Sequence, residues 1–361
     1  MAKRISDIPI EVLNRFRRGC VIPAQPLALD SGRNFSPRHQ RALCRYHIDC
    51  GVGGVAVGAY FIGGAAGSIE MNFYRTVMGA ASVFLNEWAE KRNRCILKIA
   101  GVGGSVLQQK AEAQFAETAG YDAVLLGVGD DSEISETELL EHVCMIAETI
   151  PVIGVYLPHI FGGRQLSLDF WRAFCKLDNL LAIQIAPFDR YRTLDVVRAV
   201  AEAGGDVTLY TGNVDSMIPD LLTEYHIPVK GGVRKIRMKG GLSGCWSVWA
   251  KKAVELLEQI QKAVAMGKNE IPVELFVRSA MLTDCSGAIY DAANNFCGQI
   301  AGIHEILRRQ GLLPGPGIWC FDPEKRLSPG QIEEIDRVYR SYPALNDDGF
   351  VFTHLREWFA D

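Results

Sequence analysis

Eight times between residues 19 and 268, a short run of Val, Ile, Leu and Ala is followed by a longer amphipathic segment, and this alternation limits the possible folds more than any other feature. "CVIPAQPLAL" precedes a helical stretch from Ser36, an N-cap position beside Pro37, to Cys50. "GVAVGA" (Gly54 to Ala59) leads into a helix from about Glu70 to Lys91, and "CILKIAG" (Cys95 to Gly101) into "SVLQQKAEAQFAETAG". "AVLLGVG" (Ala123 to Gly129) leads into a segment whose Ser135 and Glu138 have capping-box spacing. "VIGVYLP", "LLAIQIAP", "VTLYTGN" and "GCWSV" (Gly244 to Val248) each precede a further amphipathic stretch. Strands that are apolar on both faces belong to a parallel sheet covered by helices. Eight of them in about 250 residues predict a closed α/β (β/α)8 TIM barrel rather than an open doubly wound sheet.

The predicted boundaries are an N-terminal helical segment at 1–18 that plugs the base, the barrel at 19–268, and a C-terminal helical extension at 269–361. The extension reads as helices joined by "LLPGPGIWCFDPEKRL", expected to pack on the barrel or on a neighbouring subunit. A formal charge of −4 and a pI near 6.0 argue against a nucleic-acid or anionic-membrane partner. The ten cysteines form no CxxC pair, which points to reduced core residues rather than a zinc ribbon or redox motif. No signal-peptide core and no apolar run of membrane-spanning length is visible, so a cytoplasmic location is expected. "AGVGGS" (Ala100 to Ser105) lacks a P-loop lysine, and no His–carboxylate spacing suits a metal. No cofactor is expected.

Active sites of such barrels lie at the C-terminal ends of the strands. This rule selects Gln25, Ala59, Tyr60, the loop after Gly101, Asp130, Asp131, Tyr156, His159, Gln184, Asn213, Asp215 and Ser247. It sets aside the basic run "HIPVKGGVRKIRMK" (His226 to Lys239) as a bottom-face loop, solvated or facing a subunit. Asp130 and Asp131 could accept a proton, hold a cation, bind sugar hydroxyls, or simply cap the next helix. His159 and Arg164 are placed for an anionic substrate. Lys98, in the apolar "ILKIAG", would be a nucleophilic amine if it shares an inward face with Ala100, and otherwise pairs with a carboxylate or snorkels outward.

The stretch "IPVIGVYLPHIFGGRQLSLDFWRAFCKLDNLLAIQIAPFD" resembles strands five and six of the dihydrodipicolinate synthase / N-acetylneuraminate lyase family of class I aldolases. "GVGGVAVG", "ETAGYDAVLL", "TLYTGNVD" and "GLSGCWSV" are similar to further motifs of that family, over roughly residues 18 to 310. The resemblance implies the barrel fold, a small-molecule substrate that is a carboxylate, and a homodimer or homotetramer. It also implies Schiff-base chemistry on a 2-oxo acid from a strand-six lysine. That position holds Gln184, whose amide nitrogen is delocalised and not nucleophilic. The family's strand-two "GTTGE" is replaced by "GAYFIGG" (Gly58 to Gly64) and its strand-four "tPyY" by "GVGD" (Gly127 to Asp130). Tyr156 is then the one residue matching the family's proton relay.

Two readings follow. The first is a divergent lyase or aldolase on a 2-oxo or sugar acid, with Tyr156 in acid–base work and Lys98 or a bound cation handling the electrophile. The second is an imine-free barrel, either a binding or regulatory protein or another lyase or isomerase. Gln184, Tyr60, Asp130, His159 and Asn213 are the expected substrate contacts.

Overall fold

The computed structural model describes residues 2–59, 70–128, 134–267 and 270–360. Tyr60, Asp130 and Asp131 lie outside the described residues. Helix α1 (Ile10–Arg18) precedes seven strand–helix pairs. These are β1 (Val21–Gln25) and α2 (Pro37–Cys50), β2 (Gly54–Val57) and α3 (Met71–Lys91), and β3 (Leu97–Val102) and α4 (Val106–Thr118). Then come β4 (Ala123–Gly127) and α5 (Glu136–Ala147), β5 (Val152–Tyr156) and α6 (Leu168–Phe174), β6 (Leu180–Ile185) and α7 (Arg190–Ala203), and β7 (Thr208–Thr211) and α8 (Met217–Leu222). A hairpin, β8 (Tyr225–Val229) and β9 (Gly232–Ile236), intervenes before β10 (Gly240–Ser243) and α9 (Ala250–Ala265).

Eight parallel strands close in the order β1-β10-β7-β6-β5-β4-β3-β2, which is the (β/α)8 TIM barrel. Its eighth strand is "GGLS", four residues upstream of the expected "GCWSV", where Cys245–Ser247 instead form a 3-10 turn. The basic run is the β8–β9 hairpin rather than a loop, turned by Gly231 and Gly232 with φ of 100° and 145°. Glu224 accepts from His226 at 2.7 Å and from Arg237 at 3.2 Å and pairs with Lys235 at 3.2 Å, so three of its basic residues have a counter-charge.

Strand alternation splits the core into two shells. Ile22, Ala56, Leu97, Ile99, Leu125 and Ile153 fill the inside of the barrel, while the intervening residues pack under the helices. Helix α1 closes the base, with Phe16 stacked on Tyr210 at 4.7 Å and the Tyr210 hydroxyl donating to the Phe16 carbonyl at 2.7 Å. Local signals act as expected at α5, where Ser135 and Glu138 cap each other. At α2, Ser36 holds the N-cap position, yet its hydroxyl bonds His39 Nδ1 at 2.8 Å instead of the backbone.

The extension comprises α10 (Val273–Ile289), α11 (Gln299–Arg309), α12 (Gln331–Ser341) and α13 (Asp348–Trp358). It is joined to the barrel through α2. The Tyr46 hydroxyl donates to Asp347 at 2.8 Å, and Asp49 accepts from both Trp88 Nε1 (2.9 Å) and Trp358 Nε1 (2.8 Å). Helix α11 is buried on nearly every side and lies over the barrel mouth.

Candidate functional site

A cavity of about 440 Å³ opens at the C-terminal ends of the strands. Its floor is Ala24, Leu125, Val155, Gln184 and Leu242, each projecting inward from its strand. Gln184 is 7 % exposed, and its Nε2 donates to the Leu242 carbonyl at 2.7 Å. Because a carbonyl oxygen only accepts, this contact fixes the amide's orientation and leaves Oε1 as the acceptor offered to the cavity. Gly212 makes room for it, since a Cβ there would sit 2.6 Å from Gln184 Nε2.

The roof comes from the extension and was not foreseen from sequence. Tyr290, Phe296 and His304 from the α10–α11 region, and Phe321, Asp322 and Lys325 from the following loop, line the same cavity. The Phe161, Phe188 and Phe296 rings meet with centroids 5.6 to 5.9 Å apart, joining the β5 and β6 loops to the extension. Phe188 and Phe296 hold left-handed backbone, φ 53° and 62°, which a bulky residue adopts only when its surroundings enforce it.

The other sequence candidates are placed elsewhere. Tyr156 is a correction to the reading. Val155 is the inward residue, in register with Gln184, so Tyr156 points outward, its ring 4.8 Å from Trp171 of α6. Lys98 is likewise outward, because Leu97 and Ile99 take the inward face and Ala100 does not. Its amine lies 3.3 Å from Ser82 Oγ of α3, and burial lowers its pKa, opposed by Asp122. It cannot reach the cavity.

Asn213 is buried in a brace behind the β7 loop. Its Oδ1 accepts from the Phe188 N–H at 3.0 Å, and its Nδ2 donates to Asp220 at 2.9 Å and Thr193 at 3.2 Å. Asp220 also accepts from Thr211 at 2.6 Å and pairs with Arg190. Gln25 turns outward to His47 Nδ1 at 3.1 Å and Gln40 at 2.8 Å. Ser247 sits beside them, its hydroxyl on the Ala24 carbonyl. His159 is exposed, with Nδ1 3.1 Å from the Gly163 carbonyl, and Arg164 donates to the Ile134 carbonyl at 2.6 Å. Asp215 uses its carbonyl to accept from Thr283 at 2.9 Å.

Glu112, which burial pushes up to about 7, sits behind the β3 loop, where it accepts from the Gly103 N–H at 2.9 Å. It does not line the cavity. Among the described residues no cluster of three or more metal-ligating side chains occurs, and no helix is long and apolar enough to cross a membrane.

No family model matches the chain. A 4-hydroxy-tetrahydrodipicolinate synthase of Acetivibrio thermocellus is 26 % identical over 217 residues, 59 % of this chain and 68 % of the relative. The enzyme of the same name from Acaryochloris marina is 26 % identical over 183 residues, 50 % of this chain and 55 % of the relative. The Ruminococcus gnavus sialic acid aldolase structure superposes with a TM-score of 0.70 at 18 % identity, covering 91 % of this chain and 98 % of that one. The chain is thus similar in sequence to two enzymes named 4-hydroxy-tetrahydrodipicolinate synthase, and it shares the fold of solved dihydrodipicolinate synthases and sialic acid aldolases. A dihydrodipicolinate synthase from Oceanobacillus iheyensis gives 0.69 at 18 % identity, covering 92 % and 99 %. A form of the R. gnavus aldolase mutated at its catalytic lysine also gives 0.69 at 18 %, covering 91 % and 97 %.

Proposed function

We propose that this chain is an imine-free barrel of aldolase architecture, whose cavity holds a small molecule without forming a Schiff base. The observation that carries this reading is Gln184. It occupies the inward position at the end of β6, where the family resemblance calls for a lysine, and an amide nitrogen cannot attack a ketone. Among the described residues, the rest of the floor (Ala24, Leu125, Val155 and Leu242) is aliphatic and supplies neither nucleophile nor general base. The apolar walls and few convergent polar groups are those of a small-molecule pocket, and the volume lies within the usual range of about 300–1,000 Å³.

The test pairs turnover with binding. N-acetylneuraminate and a set of 4-hydroxy-2-oxo acids are incubated with the protein, and released pyruvate is read by coupled NADH oxidation. Thermal melts run in parallel with neutral and anionic apolar molecules. The expected result is no pyruvate above the blank, with a raised Tm for part of the melt panel. Sustained, protein-dependent pyruvate release that persists in excess EDTA would refute the imine-free reading.

A further inference from the structure

His304 is 4 % exposed, faces the cavity from α11, and makes no hydrogen bond to any described residue. Burial lowers its pKa to about 4, so at neutral pH the ring offers one N–H donor and one lone pair, both unused by the described residues. Neither ring nitrogen is among the buried, partnerless atoms, so both are open to the cavity, and a hydrogen bond from a ligand to one is worth about 0.5–1.5 kcal/mol net. Lys325 lines the same cavity, half-buried, and has no ion pair with any described residue. Asp322, which also lines it, has Oδ1 committed to the Glu324 N–H at 2.9 Å. Between these groups the walls are apolar, formed by Leu27, Leu157, Phe161, Phe188, Phe296 and Phe321.

We propose that the C-terminal extension completes the site as a receptor for a small carboxylic acid with an apolar body, Lys325 pairing with the carboxylate and His304 bonding a second polar group beside it. A monoanion fits better than a phosphate. One free ammonium balances one charge, and the Asp322 carboxylate at the same rim opposes a second negative charge. The aromatic walls exclude a fully hydrated sugar acid as the best ligand, because its hydroxyls would find few partners there. The extension thus does what the strand loops do in an ordinary barrel: it brings the polar groups that fix orientation. This inference rests on the reading of the cavity as a ligand site.

The probes are 3-phenyllactate, 3-phenylpropionate (no hydroxyl), 3-phenyllactamide (no charge) and lactate (no ring), titrated calorimetrically into the full chain. In the wild type, 3-phenyllactate binds tightest, about tenfold or more ahead of its amide and about threefold or more ahead of 3-phenylpropionate. Lys325→Gln abolishes the preference over the amide, and His304→Phe abolishes the preference over 3-phenylpropionate. The wild-type series stands alone if either variant folds poorly. Undiminished 3-phenyllactate affinity in Lys325→Gln would overturn the carboxylate assignment. An unchanged hydroxyl preference in His304→Phe would make His304 a structural imidazole satisfied by water. If neutral probes bind and acids do not, this inference fails while the imine-free cavity stands. If nothing binds and no melt shifts, both fail.

Discussion

Asn213 offers the sharpest test of how the site is held, because sequence position makes it a ligand contact and the structure makes it a brace. Its side chain is 1 % exposed and makes three hydrogen bonds, to the Phe188 N–H, Thr193 and Asp220. The first of these holds Phe188, with its left-handed φ of 53°, against the cavity. Asn213→Ala removes all three bonds and leaves the Phe188 N–H without its acceptor. At about 1 kcal/mol net per bond, the expected loss is about 3 kcal/mol of folding stability. Urea unfolding should show a lower midpoint with an unchanged slope. Asn213→Asp keeps the acceptor for Phe188 but sets a second carboxylate against Asp220, in place of the N–H donor at 2.9 Å. Repulsion between the two would raise one folded-state carboxyl pKa above its unfolded value. The stability of Asn213→Asp should therefore be best at low pH and fall as pH rises through that raised value, ending below Asn213→Ala at pH 7. Two variants within about 0.5 kcal/mol of wild type, the range of an uninvolved surface site, would refute the brace. So would an Asn213→Ala protein of full stability that no longer binds ligand.

Three further outcomes follow from the same geometry. Lys98→Met should leave ligand binding unchanged in calorimetric titration and match or exceed wild-type stability, since a buried ammonium facing Ser82 is exchanged for an apolar chain of similar length. Tyr156→Phe should likewise leave binding unchanged, because the ring packs on Trp171 outside the barrel; a lost affinity in either variant would contradict these placements. His47 is buried between Gln25 Nε2 and the Ser247 carbonyl, and burial takes its pKa from 6.5 to about 4. Its folded pKa is depressed, so its contribution, about 3 kcal/mol, is whole above pH 6.5 and is lost as pH falls through 4. In His47→Gln the decline between those values should be shallower, and an identical decline would count against the buried neutral imidazole.

How much of this was legible in the sequence depended on whether a feature is periodic or positional. The eight apolar runs reveal the barrel because each strand is buried on both faces, and that burial fixes the residue types. Which face a residue takes is less visible in such strands, because inward and outward positions are equally apolar. The sequence reading of Tyr156 is therefore one residue out of phase, and the face of Lys98 stays open until the strands are paired. Only the register settles the matter, through Val155 opposite Gln184 on one pair of strands and Val55 opposite Lys98 on another. The eighth strand was displaced because "GGLS" has little β propensity, yet a Cβ at Gly240 would sit 2.2 Å from the Cys20 carbonyl. The roof was hidden for a different reason. His304 and Lys325 lie in a helix and a loop with ordinary local patterns, and nothing in their spacing encodes that the extension folds back over the mouth. A histidine between the apolar residues of "AGIHEIL" is the one available signal.

The most direct test of the imine-free account is borohydride trapping. The protein is incubated with pyruvate and a panel of 2-oxo acids, reduced, and examined by intact mass and peptide mapping, with a lysine-bearing relative run as the positive control. The account predicts that the relative gains the mass of the reduced adduct and this chain gains none. A stoichiometric adduct on this chain, mapping to Lys325 at the cavity or to any other lysine, would contradict it.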